Sequence, residues 1–93
     1  MQSMIPPTLK IGGHTYQVVF ALSWEGKNEG DYGMVDPYAQ TIYINSRLAK
    51  TEQEATLIHE ILHIINHELS ESIIDSLAEQ LYQVFKDNEI TLR

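Results

Sequence analysis

Apolar and polar residues alternate along the first half of the chain, which predicts β-strands. Residues 14–22 are rich in aromatic and β-branched side chains, and residues 40–45 place Ile42 and Ile44 on one face with polar neighbours on the other. A turn around Pro37 separates residues 40–45 from the run 32–36, so these two segments predict a hairpin. Residues 9–11 are a candidate for one more short strand.

In the second half the apolar positions recur every three or four residues, which predicts two amphipathic helices. Thr51 is the expected N-cap of the first helix, with Glu54 completing a capping box, and Ser70 is the expected N-cap of the second. We therefore predict an α+β fold in one domain spanning residues 1–93. It consists of a small antiparallel three-stranded sheet followed by two packed helices.

Composition and charge narrow the class of protein. The 93 residues include 6 Lys+Arg and 13 Asp+Glu, a formal charge of −7 that disfavours nucleic acid or an anionic membrane as the main partner. The absence of cysteine excludes disulfide scaffolds and cysteine-type zinc fingers. No apolar run approaches the roughly 20 residues of a membrane span, and no signal peptide is visible, so we expect a cytoplasmic protein. Its oligomeric state, monomer or dimer, stays open.

Residues 59–63 read His-Glu-Ile-Leu-His, an H-E-x-x-H motif inside the first predicted helix. His59 and His63 are one turn apart, so their imidazoles lie on the same helix face and can bind one metal ion. Glu60 is about 100° round the helix from His59, where it can reach a water on the open side of the metal as a general base. The pattern predicts a catalytic Zn²⁺ site.

A catalytic zinc site needs a third protein ligand, and several residues are candidates: His67, Glu68, Glu71, Asp75 and Glu79. His67 is two turns from His59, too far to reach the same ion from a straight helix. If the helices pack antiparallel through a short turn, Glu71 could complete a His₂Glu site. Asp75 could then accept a hydrogen bond from a ligand histidine. His67 and Glu68 stay open as alternatives.

The motif followed by Glu71-x-x-x-Asp75 resembles the gluzincin zinc metallopeptidases, and its compact form is similar to minigluzincins and to ImmA/IrrE-type proteins of phages and prophages. The resemblance covers residues 32–87. It implies a peptidase in which Glu60 activates a zinc-bound water, with His59, His63 and Glu71 as ligands and Asp75 as support for one histidine. It also implies that an extended peptide or protein substrate pairs with a strand beside the active helix, for which we predict residues 40–45.

The sequence also admits a second interpretation, a non-catalytic zinc-stabilised binding or regulatory module of a mobile element. A metal would then mainly hold together two helices over a modest core. Within the peptidase interpretation the enzyme is either active alone or latent until a partner opens the cleft. Tyr82 shares a face with Asp75, and we expect it to be a core residue rather than a transition-state donor.

Overall fold

The computed structural model describes residues 5–28 and 30–89. In these residues the chain forms four strands and two helices. The strands are β1 (Thr8–Ile11), β2 (His14–Ala21), β3 (Gly33–Asp36) and β4 (Thr41–Asn45). The helices are α1 (Lys50–Ile65) and α2 (Glu71–Asp87). The predicted α+β class and the β3–β4 hairpin are confirmed.

The four strands form one mixed sheet in the order β1-β2-β4-β3, so the predicted antiparallel sheet of three strands is wrong. The β1–β2 and β3–β4 pairs are antiparallel, but β2 and β4 run parallel. After β2 the chain crosses to the far edge of the sheet, forms β3 there, and returns as β4 into the gap between β2 and β3. A strand with alternating residues looks the same in sequence whichever strands lie beside it, so the alternation did not show this crossover.

The core lies between one face of the sheet and α1. Ile42 and Ile44 of the central strand β4 are fully buried together with Leu57 of α1, and Tyr16 and Val18 of β2 complete the cluster. Helix α1 covers this face of the sheet and contacts both β3 and β4. These contacts fix the position of α1 relative to the two strands. The side chains of α1 that do not face the sheet therefore have a fixed position relative to the edge strand β3.

The second helix packs on α1 and makes no contact with the sheet in the described part of the chain. Its buried residues are Ile74 and Ala78. Ser70 caps it as predicted, because the Ser70 hydroxyl accepts a hydrogen bond from the Ile73 backbone N–H at 3.3 Å. A turn of residues 66–70 thus reverses the chain and brings the start of α2 beside the end of α1.

The predicted N-cap of α1, Thr51, is wrong by two residues. The helix begins at Lys50 with Ala49 as its N-cap, so Thr51 and Glu54 both lie inside it. Glu52 supplies the acceptor expected of a capping box, since its carboxylate accepts the Ala49 backbone N–H at 3.3 Å. Neither helix is long and apolar enough to cross a membrane, within the residues described.

Candidate metal centre

Two imidazoles face each other on α1. The Nε2 atoms of His59 and His63 are 3.1 Å apart, and the rings meet edge to face with centroids 4.8 Å apart. This arrangement follows from the helix, which brings residues four apart onto one face. Both side chains are partly buried, so each imidazole is partly accessible to solvent.

Glu71, the first residue of α2, brings a carboxylate to this pair. One oxygen lies 2.5 Å from the Nε2 of His63 and the other 3.5 Å from the Nε2 of His59. The ligand atoms of the three residues lie within 4.8 Å of one another. His67 and Glu68 lie in the interhelical turn, outside this group, and Asp75 and Glu79 are likewise not part of it.

Asp75 lies one turn further along α2 and contacts the other nitrogen of His59. Its carboxylate oxygen is 3.1 Å from His59 Nδ1, which suits an N–H donated to the carboxylate. In the neutral imidazole this fixes the proton on Nδ1 and leaves a lone pair on Nε2 directed at His63 and Glu71. Asp75 thus contacts His59, and its role as support for a metal-bound histidine stays a prediction.

The donor set fits a tetrahedral ion. With ligand distances of about 2.0–2.1 Å, two ligand atoms of a tetrahedral zinc site are about 3.3 Å apart. The two Nε2 atoms are 3.1 Å apart and the carboxylate oxygens of Glu71 lie at 2.5 and 3.5 Å from them. Two imidazoles and one carboxylate with one side open are the ligand set of catalytic zinc sites.

Glu60 lies beside this group but is buried, with 7% of its surface exposed. Burial, together with the smaller effects of the nearby carboxylates of Glu71 and Asp31, raises the pKa of its carboxyl from 4.5 to about 7. A carboxyl with a pKa near neutrality can both accept and release a proton at physiological pH. This is the property required of a general acid–base group.

Glu60 also lies between two cavities. The first, a cleft of about 480 Å³, is bounded by the segment 30–33, α1 and α2, and it includes His59, Glu71 and Asp75. The second, of about 400 Å³, lies beneath the end of α1 and includes His63 and His67. Since Glu60 lines both cavities, the candidate metal group stands at their junction.

The strand next to this junction is β3, an edge strand. Gly33 packs so closely on α1 that a Cβ at this position would lie 2.7 Å from the Thr56 side chain, 2.7 Å from the Tyr43 carbonyl oxygen and 3.6 Å from Glu60 Cγ. The predicted substrate strand, residues 40–45, is wrong. Both edges of β4 are already paired with β2 and β3, so a peptide cannot add there.

Tyr82 lines the first cleft, but its hydroxyl is engaged elsewhere. It donates a hydrogen bond to Glu54 at 2.9 Å, linking α2 to α1, and partial burial together with this carboxylate raises the pKa of the phenol to about 12. Its observed contact is therefore one between the two helices.

Sequence reasoning missed two residues of the site. Gly33 had a recognisable signal, because a glycine inside a strand often marks a close approach of two backbones. Asp31 had none, since its influence on Glu60 depends on the path of a loop before β3. Both residues belong to the segment that lines the first cleft.

Comparison with known protein families matches most of the chain to a family model. The family model Peptidase M78, described as the IrrE N-terminal-like domain, matches residues 17–89, which include most of β2, the strands β3 and β4, and both helices. No curated protein and no solved structure gives a significant match.

Proposed function

The chain belongs to the Peptidase M78 family, and we propose on this basis that it is a zinc-dependent peptidase that hydrolyses peptide bonds. His59, His63 and Glu71 would hold the ion, Asp75 would orient His59, and Glu60 would be the general base. The observation that carries the proposal is the convergence of two Nε2 atoms and one carboxylate beside a buried glutamate at the junction of two cavities.

Zinc bound by this group would act as a Lewis acid and lower the pKa of a water molecule towards neutrality. Glu60 takes a proton from the attacking water and later delivers it to the nitrogen of the leaving amine. Asp75 holds the Nδ1–H of His59 and so keeps Nε2 free of a proton.

We further propose that the substrate binds in extended form against β3 rather than β4. The free edge of β3 offers backbone groups to a peptide, as strand addition requires. Gly33 brings this edge close to Glu60. A peptide paired with β3 would therefore pass directly over the general base.

The decisive experiment compares wild type with Glu60→Gln after both are loaded with zinc. We expect both proteins to bind about one zinc ion per chain by elemental analysis, since Glu60 is not a ligand. Cleavage of a mixed peptide library should fall at least about 100-fold in the variant, because a general base contributes that much or more. The exposed Glu25, which lines neither cavity, supplies the matched control Glu25→Gln. Equal cleavage by wild type and Glu60→Gln would contradict the mechanism.

The second candidate is the non-catalytic, zinc-stabilised regulatory module. One observation favours it, namely that the candidate ligands come from both helices while, among residues 5–28 and 30–89, α2 packs only on α1. Zinc bound at full occupancy, stabilisation of the fold and no cleavage by wild type would together replace the peptidase with this function.

A further inference from the structure

We infer that this peptidase selects an apolar side chain on one side of the cleaved bond and a basic side chain on the other. The inference rests on the proposed function and concerns the two cavities that meet at Glu60. They differ in chemistry, and β3 leads from one to the other. A peptide bound along β3 would therefore place side chains into both.

The edge strand sets the spacing. Gly33 and Val35 both face α1, since Gly33 abuts Thr56 and Glu60 while Val35 packs against the buried core. Gly33 lines the first cleft and Val35 the second cavity. These two positions are about 6.6 Å apart along a strand. On a peptide paired with β3, two side chains separated by one residue would therefore reach the two cavities. Glu60, which lines both cavities, would lie between them.

The second cavity has mainly apolar walls. Its lining includes the buried Tyr16, the half-buried Val35 and Ile64, and Pro37. Glu60, His63 and His67 also line it, so this cavity borders the candidate metal group. A concave apolar site beside convergent polar groups is the usual form of a specificity pocket. Its occupant would be a medium-sized apolar side chain such as leucine.

The first cleft differs from the second cavity in its charge. Beyond the three acidic residues of the site itself, the cleft is lined by further carboxylates from three different elements: Asp31, Glu52 and Glu79. No lysine or arginine is among the described residues that line it. A cleft lined by one sign of charge concentrates ligands of the other sign, and it repels like charges. The substrate residue on this side would therefore be lysine or arginine.

The test uses short blocked peptides in which two residues separated by one alanine vary on a neutral background, because only alternate side chains of an extended peptide share a face: Leu-Ala-Lys, Lys-Ala-Leu, Leu-Ala-Glu, Glu-Ala-Leu, Ser-Ala-Lys and Lys-Ala-Ser. Binding is measured by fluorescence anisotropy on zinc-loaded Glu60→Gln protein, and cleavage is measured separately on wild type. We expect one order of Leu and Lys to bind about tenfold or more tightly than its Glu and its Ser counterparts. Added salt should weaken the preference for Lys and leave the preference for Leu.

A charge reversal locates the basic subsite. Glu79 is exposed on α2 and lysine is as good a helix former, so Glu79→Lys should fold normally. On the Glu60→Gln background it should abolish the preference for Lys over Glu and retain the preference for Leu over Ser. The control Glu25→Lys, outside both cavities, should retain both preferences.

The outcomes separate this inference from the proposed function. If wild type cleaves the peptides with no preference at either position, the inferred specificity is wrong and the proposed peptidase function stands. If the peptides bind with the expected preferences but wild type cleaves none of them, the inferred specificity stands and the proposed peptidase function is wrong. Equal binding of all peptides, or binding that favours the Glu series, overturns the inference whatever the cleavage assay shows.

Discussion

Glu60 combines burial with two neighbouring carboxylates, so its protonation is linked to folding. Its pKa is about 7 in the folded, metal-free chain and 4.5 in the unfolded chain, so the folded state holds the proton more tightly. The stabilisation is complete below pH 4.5 and is lost as the pH rises through 7. Relative to Glu60→Gln, metal-free wild type should lose on the order of 3 kcal/mol of unfolding free energy over this range. Urea titrations of both proteins in the presence of a chelator measure the difference. A difference independent of pH would contradict the burial of Glu60.

Gly33 has a different kind of constraint, which is purely steric. A Cβ would lie 2.7 Å from both the Thr56 side chain and the Tyr43 carbonyl oxygen. Gly33→Ala should therefore lower the unfolding free energy by about 1–3 kcal/mol, as overpacking does. Adding Thr56→Ser removes one of the two clashes and should recover only part of the loss. A Gly33→Ala protein as stable as wild type would show that β3 does not lie this close to α1.

At the scale of elements, the sequence predicted each strand and helix more reliably than their arrangement. The alternation of Ile42 and Ile44 with polar neighbours correctly indicated one buried face. It could not show that β4 is central, because the position of a strand depends on the crossover from β2 to the far edge. The error about the substrate strand followed directly from this, since only an edge strand can accept a peptide.

The candidate metal residues were more predictable, because they depend on local rules. The spacing of His59 and His63 follows from one helical turn, and Ser70 caps α2 at the expected place. The short turn between α1 and α2 then places Glu71, the first residue of α2, close to the end of α1. Asp31 and Gly33 escaped prediction because their proximity to Glu60 depends on the sheet, which lies earlier in the chain.

This arrangement of helices predicts which substitutions weaken zinc binding. Glu71→Ala should lower the zinc affinity by more than the roughly 10–100-fold expected of an outer-sphere partner, and Asp75→Asn should fall within that range. His67→Ala is the matched control, because His67 lies in the turn outside the ligand group and should leave the affinity unchanged. Competition titration with a chromophoric chelator measures all three. Severe loss in His67→Ala with little loss in Glu71→Ala would indicate a three-histidine site instead.

At the scale of the whole molecule, the two halves of the candidate site have unequal support. The sheet and α1 share the buried core, whereas α2 packs on α1 alone in the described part of the chain. Its contacts with α1 include the buried Ile74 and Ala78, the Tyr82–Glu54 hydrogen bond and the acidic side chains beside His59 and His63. Of the predicted ligands, two are on the well-supported helix and one is on α2. A bound ion would therefore join the least supported helix to the core.

Hydrogen exchange can test this coupling directly. An ion that binds the folded site stabilises it by about 2.7 kcal/mol when its free concentration is 100 times the dissociation constant, which slows local opening about 100-fold. We expect zinc to slow exchange of α2 amides by up to this factor while β2 and β4 change little, because their amides open only with the core. Glu71→Ala should remove the protection of α2 and leave the sheet as it was. Equal slowing of α2 and the sheet would mean that the helix and the core unfold as one unit, and that the ion does not act chiefly on α2.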